Sequence, residues 1–298
     1  MDAPVTQTRN SHANLTGSLW MIAAMAAFAA EDALLKGAAR TLPVWEILVL
    51  FGLGGALVFA GLARRNGAAL WSPDVVSKPM RIRMLFEITG RLFYVLAIAL
   101  TPLSSATVIL QATPIVVVAG AALFFGETVG WRRWVAIFLG LGGVLVIIQP
   151  GADSFSMLSM LAVLGMLGFA GRDLASRAAP ARLSTDILGV YGFLAIVIAG
   201  ALYAAWEGRA FEVPGAEAAA CLGLAVLCGV LAYTALMKAM RTGEVSAVTP
   251  FRYTRLLFGI ALGVVFFGES LSAAMIAGSA LIVLAGLFIM WRGGSSRA

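Results

Sequence analysis

Two groups of charged residues lie inside long apolar stretches. Glu87 and Arg91 are four apart in one such run, and Tyr94 continues the same stripe. On a helix, residues at that spacing share a face. Arg252 and Arg255 are three apart in another run, with Tyr253 between them and no acid on that stretch. A charge at the centre of a bilayer costs roughly 2.5–3.5 kcal/mol on insertion scales, so each of these side chains needs a reason. For Glu87 and Arg91 two readings stand. They are a self-neutralising pair that locks helix packing, or they form a cavity wall in contact with a substrate or a proton. For Arg252 and Arg255 the choice lies between snorkelling to the nearer interface and binding a carboxylate or phosphate, the partner an arginine fork fits best. Glu87 or a substrate anion can fill that place, with Tyr94 or Tyr253 supplying an aromatic face.

A second tier of polar residues lies near the ends of apolar runs. Glu31 and Asp32 close the first run, with Lys36 four residues beyond Asp32. Asp173 and Arg177 repeat that spacing, preceded by Arg172. These are end-of-helix ion pairs, or symmetric gates that each close one side. Gln111 and Thr107 are polar at moderate depth and bond either a substrate or a neighbouring helix. Glu127 and Glu269, each beside a glycine, are expected to cap the helix that follows. No nucleophile is paired with a base, and the only histidine is His12. Cys221 and Cys228 lack further ligands nearby, so neither a metal site nor a cofactor is expected. G-x-x-x-x-G-K-[ST] is absent, so no ATP-binding loop is expected. Proton coupling would have to use a carboxylate.

The elements that must hold these residues are membrane helices. Of 298 residues, 61% are apolar and 12% charged, and the mean hydropathy is +0.94. Soluble domains carry about 25% charged residues. The net charge of +6 is scattered through short loops, which argues against nucleic-acid binding. A span needs roughly 20 apolar residues. Runs of that kind cover 15–36, 44–63, 83–100, 103–125, 131–148, 157–176, 185–205, 216–238, 246–267 and 272–291. Pro114 and Pro250 fall inside runs, each removing a backbone hydrogen bond. They mark a cavity wall or a packing kink. The tryptophans fall mostly at run ends as interfacial anchors. The N-terminus shows no short basic start or cleavage site, so a cleaved leader is not expected.

Lysine and arginine set the orientation. With the N-terminus inside, fifteen fall on the cytoplasmic side and three, Lys36, Arg40 and Arg209, on the other. Both termini are therefore expected in the cytoplasm. The chain also repeats itself. Phe124-Phe-Gly-Glu-Thr128 returns 142 residues on as Phe266-Phe-Gly-Glu-Ser270. Asp32-Ala-Leu-Leu-Lys36 answers Asp173-Leu-Ala-Ser-Arg177, and Gly52 answers Gly192. The units are 15–148 and 157–291, between tails 1–14 and 292–298. Five spans per unit is an odd number, so the two units must lie in opposite orientations. The expected fold is an all-α integral membrane protein of ten transmembrane helices, built as two inverted five-helix repeats.

A proline-interrupted apolar helix followed by [FL]-x-G-E, present twice, resembles the repeat of the drug/metabolite transporter superfamily, in its branch with two EamA-type domains. The likeness runs from about Leu15 to Trp291. It implies a secondary transporter of the cytoplasmic (inner) membrane that moves a small organic solute by alternating access. The solute is expected to carry an anionic group. The segments Thr249-Pro-Phe-Arg-Tyr-Thr-Arg255 and Gly171-Arg-Asp-Leu174 are similar to a subgroup that includes vitamin and adenosylmethionine importers; an amino-acid or drug exporter is the alternative. An intramembrane enzyme or a non-transporting structural subunit are the rival classes. Monomer and homodimer both remain open. The residues expected at substrate are Glu87, Arg91, Tyr94, Gln111, Arg252, Tyr253 and Arg255. Those expected at gates are Asp32, Lys36, Arg172, Asp173 and Arg177.

Overall fold

The structure, a computed structural model, describes residues 3–100, 106, 109–148, 158–267, 273, 276–278 and 280–285. Among them all regular structure is helical. The helices are α1 (Ala3–Ala38), α2 (Val44–Arg65), α3 (Lys78–Leu100), α4 (Thr113–Phe125), α5 (Trp131–Ile148), α6 (Ser159–Ala178), α7 (Thr185–Glu207), α8 (Ala216–Thr242) and α9 (Thr254–Phe267). A helical turn, Val245–Val248, and a 3₁₀ segment, Thr249–Tyr253, lead into α9. Thr107, Glu269 and the 292–298 tail lie outside the described residues. By length and composition, α2, α7, α8 and the His12–Ala38 part of α1 can each cross a membrane.

Local chemistry sets the boundaries. Pro43 precedes α2, and the Ser184 hydroxyl accepts from Ile187 N at 3.3 Å to start α7. Gly126 and Gly208 end α4 and α7 with φ of 64° and 67°, left-handed positions that glycine fills without penalty. Helix α1 starts at Ala3, so the expected 1–14 tail is helical from that residue onward.

The most extensive helix pairings are α1 with α8, α2 with α7 and α3 with α6. Exchanging the two repeats, so that α1 takes the place of α6, α2 of α7 and α3 of α8, maps this set onto itself. The next pairings, α1 with α9 and α4 with α6, and α3 with α7 and α2 with α8, exchange in the same way. Small residues permit the closest approach: a Cβ on Gly168 would run into the backbone of Gly90 where α6 crosses α3. Where α2, α7 and α8 meet, the rings of Phe51, Phe59, Phe193 and Tyr233 pack with centroids 5.2–5.8 Å apart.

Two expected spans are broken at equivalent places. In the first unit the chain turns at Gln111–Ala112, and α4 starts at Thr113 with Pro114 in its first turn. In the second, the 3₁₀ segment carries Pro250, and α9 starts at Thr254. Thr113 Oγ1 donates to the carbonyl of Leu110, and Thr254 Oγ1 donates to that of Phe251 at 2.7 Å. Both threonines reach three residues back to a carbonyl at the break. Pro114 lies where a helix start already has an unused donor position, so the break falls ahead of it rather than at it.

Candidate functional site

The breaks bring unlike elements together around one cavity of about 30 Å³. Its walls are Met25 and Phe28 of α1, Arg91 of α3, Phe169 and Arg172 of α6, and Arg252 and Arg255 at the head of α9. Leu110, Gln111 and Thr113 at the first break complete them. Four arginines face this space, and no carboxylate is among its lining residues.

The carboxylates stand behind the arginines. Arg91 Nη1 donates to Glu31 Oε1 at 2.5 Å. Arg172 bridges two acids: Nη1 to Glu87 Oε1 at 3.2 Å, and Nε and Nη2 to Asp173 Oδ1 at 2.9 and 2.8 Å. Arg252 Nη2 donates to Asp173 Oδ2. Arg255 grips Asp32 Oδ2 through Nη2 and through Nε, the latter at 3.0 Å, and the Tyr94 hydroxyl donates to the same oxygen at 3.3 Å. Arg83, fully buried, donates to Ser176 Oγ at 2.9 Å and to the Leu188 carbonyl at 3.0 Å, and lies 3.7 Å from Glu87. Glu31, Asp32, Glu87 and Asp173 are all nearly or wholly excluded from solvent.

Aromatic faces fix the guanidinium planes. Phe169 lies 5.7 Å from Arg91 and 4.8 Å from Arg172. Phe28 lies 5.1 Å and Tyr94 5.5 Å from Arg255. Phe51 lies 5.3 Å from Arg91. Cation–π contact at these distances is attractive and strengthens when water is excluded.

Several sequence expectations change. Glu87 and Arg91 share a helix face but not a bond: Glu87 goes to Arg172, and Arg91 goes to Glu31. Arg252 and Arg255, with no acid on their own helix, take carboxylate partners from other helices, Asp173 and Asp32, and Arg255 does not use Glu87. Asp32 is bound by Arg255, whereas Lys36 Nζ donates to the Ile98 carbonyl at 3.3 Å. Asp173 is bound by Arg172 and Arg252, whereas Arg177 donates to the carbonyls of Met240 at 2.7 Å and Gly243 at 3.1 Å. Tyr253 points away from the cavity, its hydroxyl donating to the Ile137 carbonyl at 2.9 Å. Two of the fifteen lysines and arginines counted on the cytoplasmic side, Arg83 and Arg172, are interior; without them the charge bias is still one-sided.

Gln111 does line the cavity, 2% exposed, and its Nε2 meets no hydrogen-bond partner among the described residues. Arg172, expected at a gate, lines the cavity as well. Glu31 has a larger part than an end-of-helix charge. Phe28, Phe169 and Thr113 carried no signal beyond apolar or small polar character in an apolar run.

Lys36 and Arg177 occupy equivalent positions in the two repeats, as do Ile98 and Met240. Each cation therefore caps the same carbonyl in its own half. Arg177 also lies 3.8 Å from Glu127 of the other half.

The sequence of each half matches the EamA-like transporter family, over residues 15–149 and 157–291. The chain is 31% identical over 275 residues to the pseudopaline exporter CntI of Pseudomonas aeruginosa, covering 91% of this chain and 94% of that one. It is 28% identical to a riboflavin transporter of Rhizobium johnstonii, with 93% and 91% covered. It is 22% identical to an S-adenosylmethionine uptake transporter of Rickettsia felis, with 93% of each covered. A solved crystal structure superposes with a TM-score of 0.75 at 22% identity, covering 94% of this chain and 98% of its own, a likeness of fold. With both repeats matched along almost the whole chain, the protein belongs to the EamA-like transporter family.

Proposed function

We propose that this chain is a secondary transporter that carries a small organic solute with an anionic group across the cytoplasmic membrane. It works by alternating access between two inverted five-helix halves, ten spans in all, with both termini in the cytoplasm. The observation that carries this reading is the arginine-lined cavity at the paired helix breaks. Discontinuous helices around a central polar site are a recurring arrangement in transporters built from inverted repeats. Irregular backbone is tolerated at membrane depth only where protein or a cavity surrounds it. The exchangeable helix pairings support two halves related by a pseudo-two-fold axis.

The cavity's size bears on mechanism. A space of about 30 Å³ holds one or two water molecules. A metabolite fits only when one end opens. Arg177, tied to Met240, Gly243 and Glu127, is suited to close one end, and Lys36 on Ile98 the other. The acids Asp32 and Asp173 compete with a cargo anion for Arg255 and Arg252, so cargo binding loosens the contacts that join α9 to α1 and to α6. Pseudopaline export and riboflavin or S-adenosylmethionine movement among the relatives give the cargo classes to try first.

The test uses the full chain in proteoliposomes with labelled riboflavin, S-adenosylmethionine, pseudopaline and amino acids. Saturable uptake of at least one is expected. Arg252→Lys keeps the charge but loses the two-pronged geometry, so it should weaken cargo binding by about tenfold while the protein remains folded. Normal transport by Arg252→Lys would make that arginine structural. Absence of flux for every compound, in protein that is folded, counts against the transport reading.

A further inference from the structure

Resting on the transport reading above, we propose that the cargo group seated in this cavity is a monoanion of carboxylate type. It is held by the inward edges of Arg91, Arg172, Arg252 and Arg255 and by the Gln111 amide. It is selected because one negative charge completes the balance of the buried cluster.

Three observations carry this. The first is the charge count. Among the described residues the cluster contains five buried arginines, Arg83, Arg91, Arg172, Arg252 and Arg255. It contains four buried carboxylates, Glu31, Asp32, Glu87 and Asp173. The remaining buried acid, Glu46, lies apart in the first turn of α2, accepting from Glu212 N at 3.0 Å. Arginine does not give up its proton in a protein, and protonating a carboxylate would only enlarge the positive excess. An anion is therefore what neutralises the cluster. The second observation is placement. The acids sit behind the arginines, so the space itself is walled by cations, and a low dielectric strengthens their pull. The third is Gln111. It lines the cavity, and its buried Nε2 has no partner among the described residues; a buried donor left unpaired is costly. A carboxylate oxygen accepts from it and from an arginine together.

The same count separates ligand classes. A neutral cargo leaves one positive charge uncompensated. A phosphate monoester, close to two negative charges at neutral pH, overshoots. A carboxylate restores balance, and its two oxygens suit bidentate guanidinium donors.

Three ring-matched probes test this on the purified full-length chain at constant ionic strength: benzoate, benzamide and phenyl phosphate. Binding is read by calorimetry. Benzoate should bind at least about tenfold more tightly than either of the others. Arg83 lies outside the cavity lining. Arg83→Gln removes the excess charge and should collapse the preference for benzoate over benzamide, whereas Arg83→Lys should retain it. Glu87→Gln raises the excess and should move the preference to phenyl phosphate, a readout that stands if Arg83→Gln does not fold. Equal binding of benzoate and benzamide, tighter binding of phenyl phosphate by the unaltered chain, or binding of none of the three overturns the proposal. Labelled flux without a benzoate preference would remove this inference and leave transport standing. A benzoate preference without flux of any compound would do the reverse.

Discussion

At the scale of residues, the buried charges bond chiefly from helix to helix rather than along one helix. An intramembrane Glu87 four residues before Arg91 suggests a pair on one helix face. The acid that Arg91 uses is Glu31, 60 residues away, and Arg255 reaches Asp32 across 223 residues. Helical spacing informs only on neighbours along one helix, and these bonds join different helices. The structure therefore predicts a specific pattern of coupling. Glu31→Gln and Arg91→Gln should each cost about 3–5 kcal/mol, because each strands a buried charge. The double variant should cost less than the sum. In contrast, Glu87→Gln with Arg91→Gln should couple more weakly than the Glu31–Arg91 pair, since the two residues share the buried cluster but do not bond. Denaturation of the unaltered chain, the three single variants and the two double variants in one detergent gives both cycles. Strong coupling in the Glu87–Arg91 cycle, without coupling in the Glu31–Arg91 cycle, would contradict the assigned pairs.

At the scale of elements, most apolar runs became helices close to their expected bounds, because length and composition dominate in a bilayer. The departures are physical. Helix α3 begins at Lys78, ahead of the expected 83, because charged residues suit a helix end at the interface. The breaks were signalled by Pro114 and Pro250, but their positions depend on the threonine-to-carbonyl bonds of Thr113 and Thr254, which hydropathy does not report. Helix crossings were settled by packing, with glycines at the closest approaches. At one crossing, Gly168→Ala forces α6 away from Gly90 and should destabilise the fold by about 1–3 kcal/mol, a typical overpacking cost. Gly61→Ala, with open space around the added methyl, should leave stability unchanged or raise it by about 1 kcal/mol through helix propensity. Thermal melts of the two variants decide this. An unaffected Gly168→Ala would show that α3 and α6 do not approach as described.

At the scale of the whole molecule, the duplicated Phe-Phe-Gly-Glu segments already pointed to two like halves, and odd span number implied their inversion. The closed cavity between the halves was beyond reach of the sequence, since it is assembled from α1, α3, α6 and both helix breaks. The proposed inversion of the halves would place the 126–130 and 208–215 loops on opposite sides of the membrane. Reporter insertions there should give opposite signals; the same signal from both would remove the inversion. The central claim is that a single cationic cavity opens to each side in turn. It is tested most directly by thiol labelling of Gln111→Cys in a background with Cys221→Ala and Cys228→Ala, in vesicles of known orientation. An impermeant anionic methanethiosulfonate should react from either side, and faster than a cationic one of similar size, because the arginines concentrate anions. Reaction from one side only, or equal rates for the two reagents, would contradict the account.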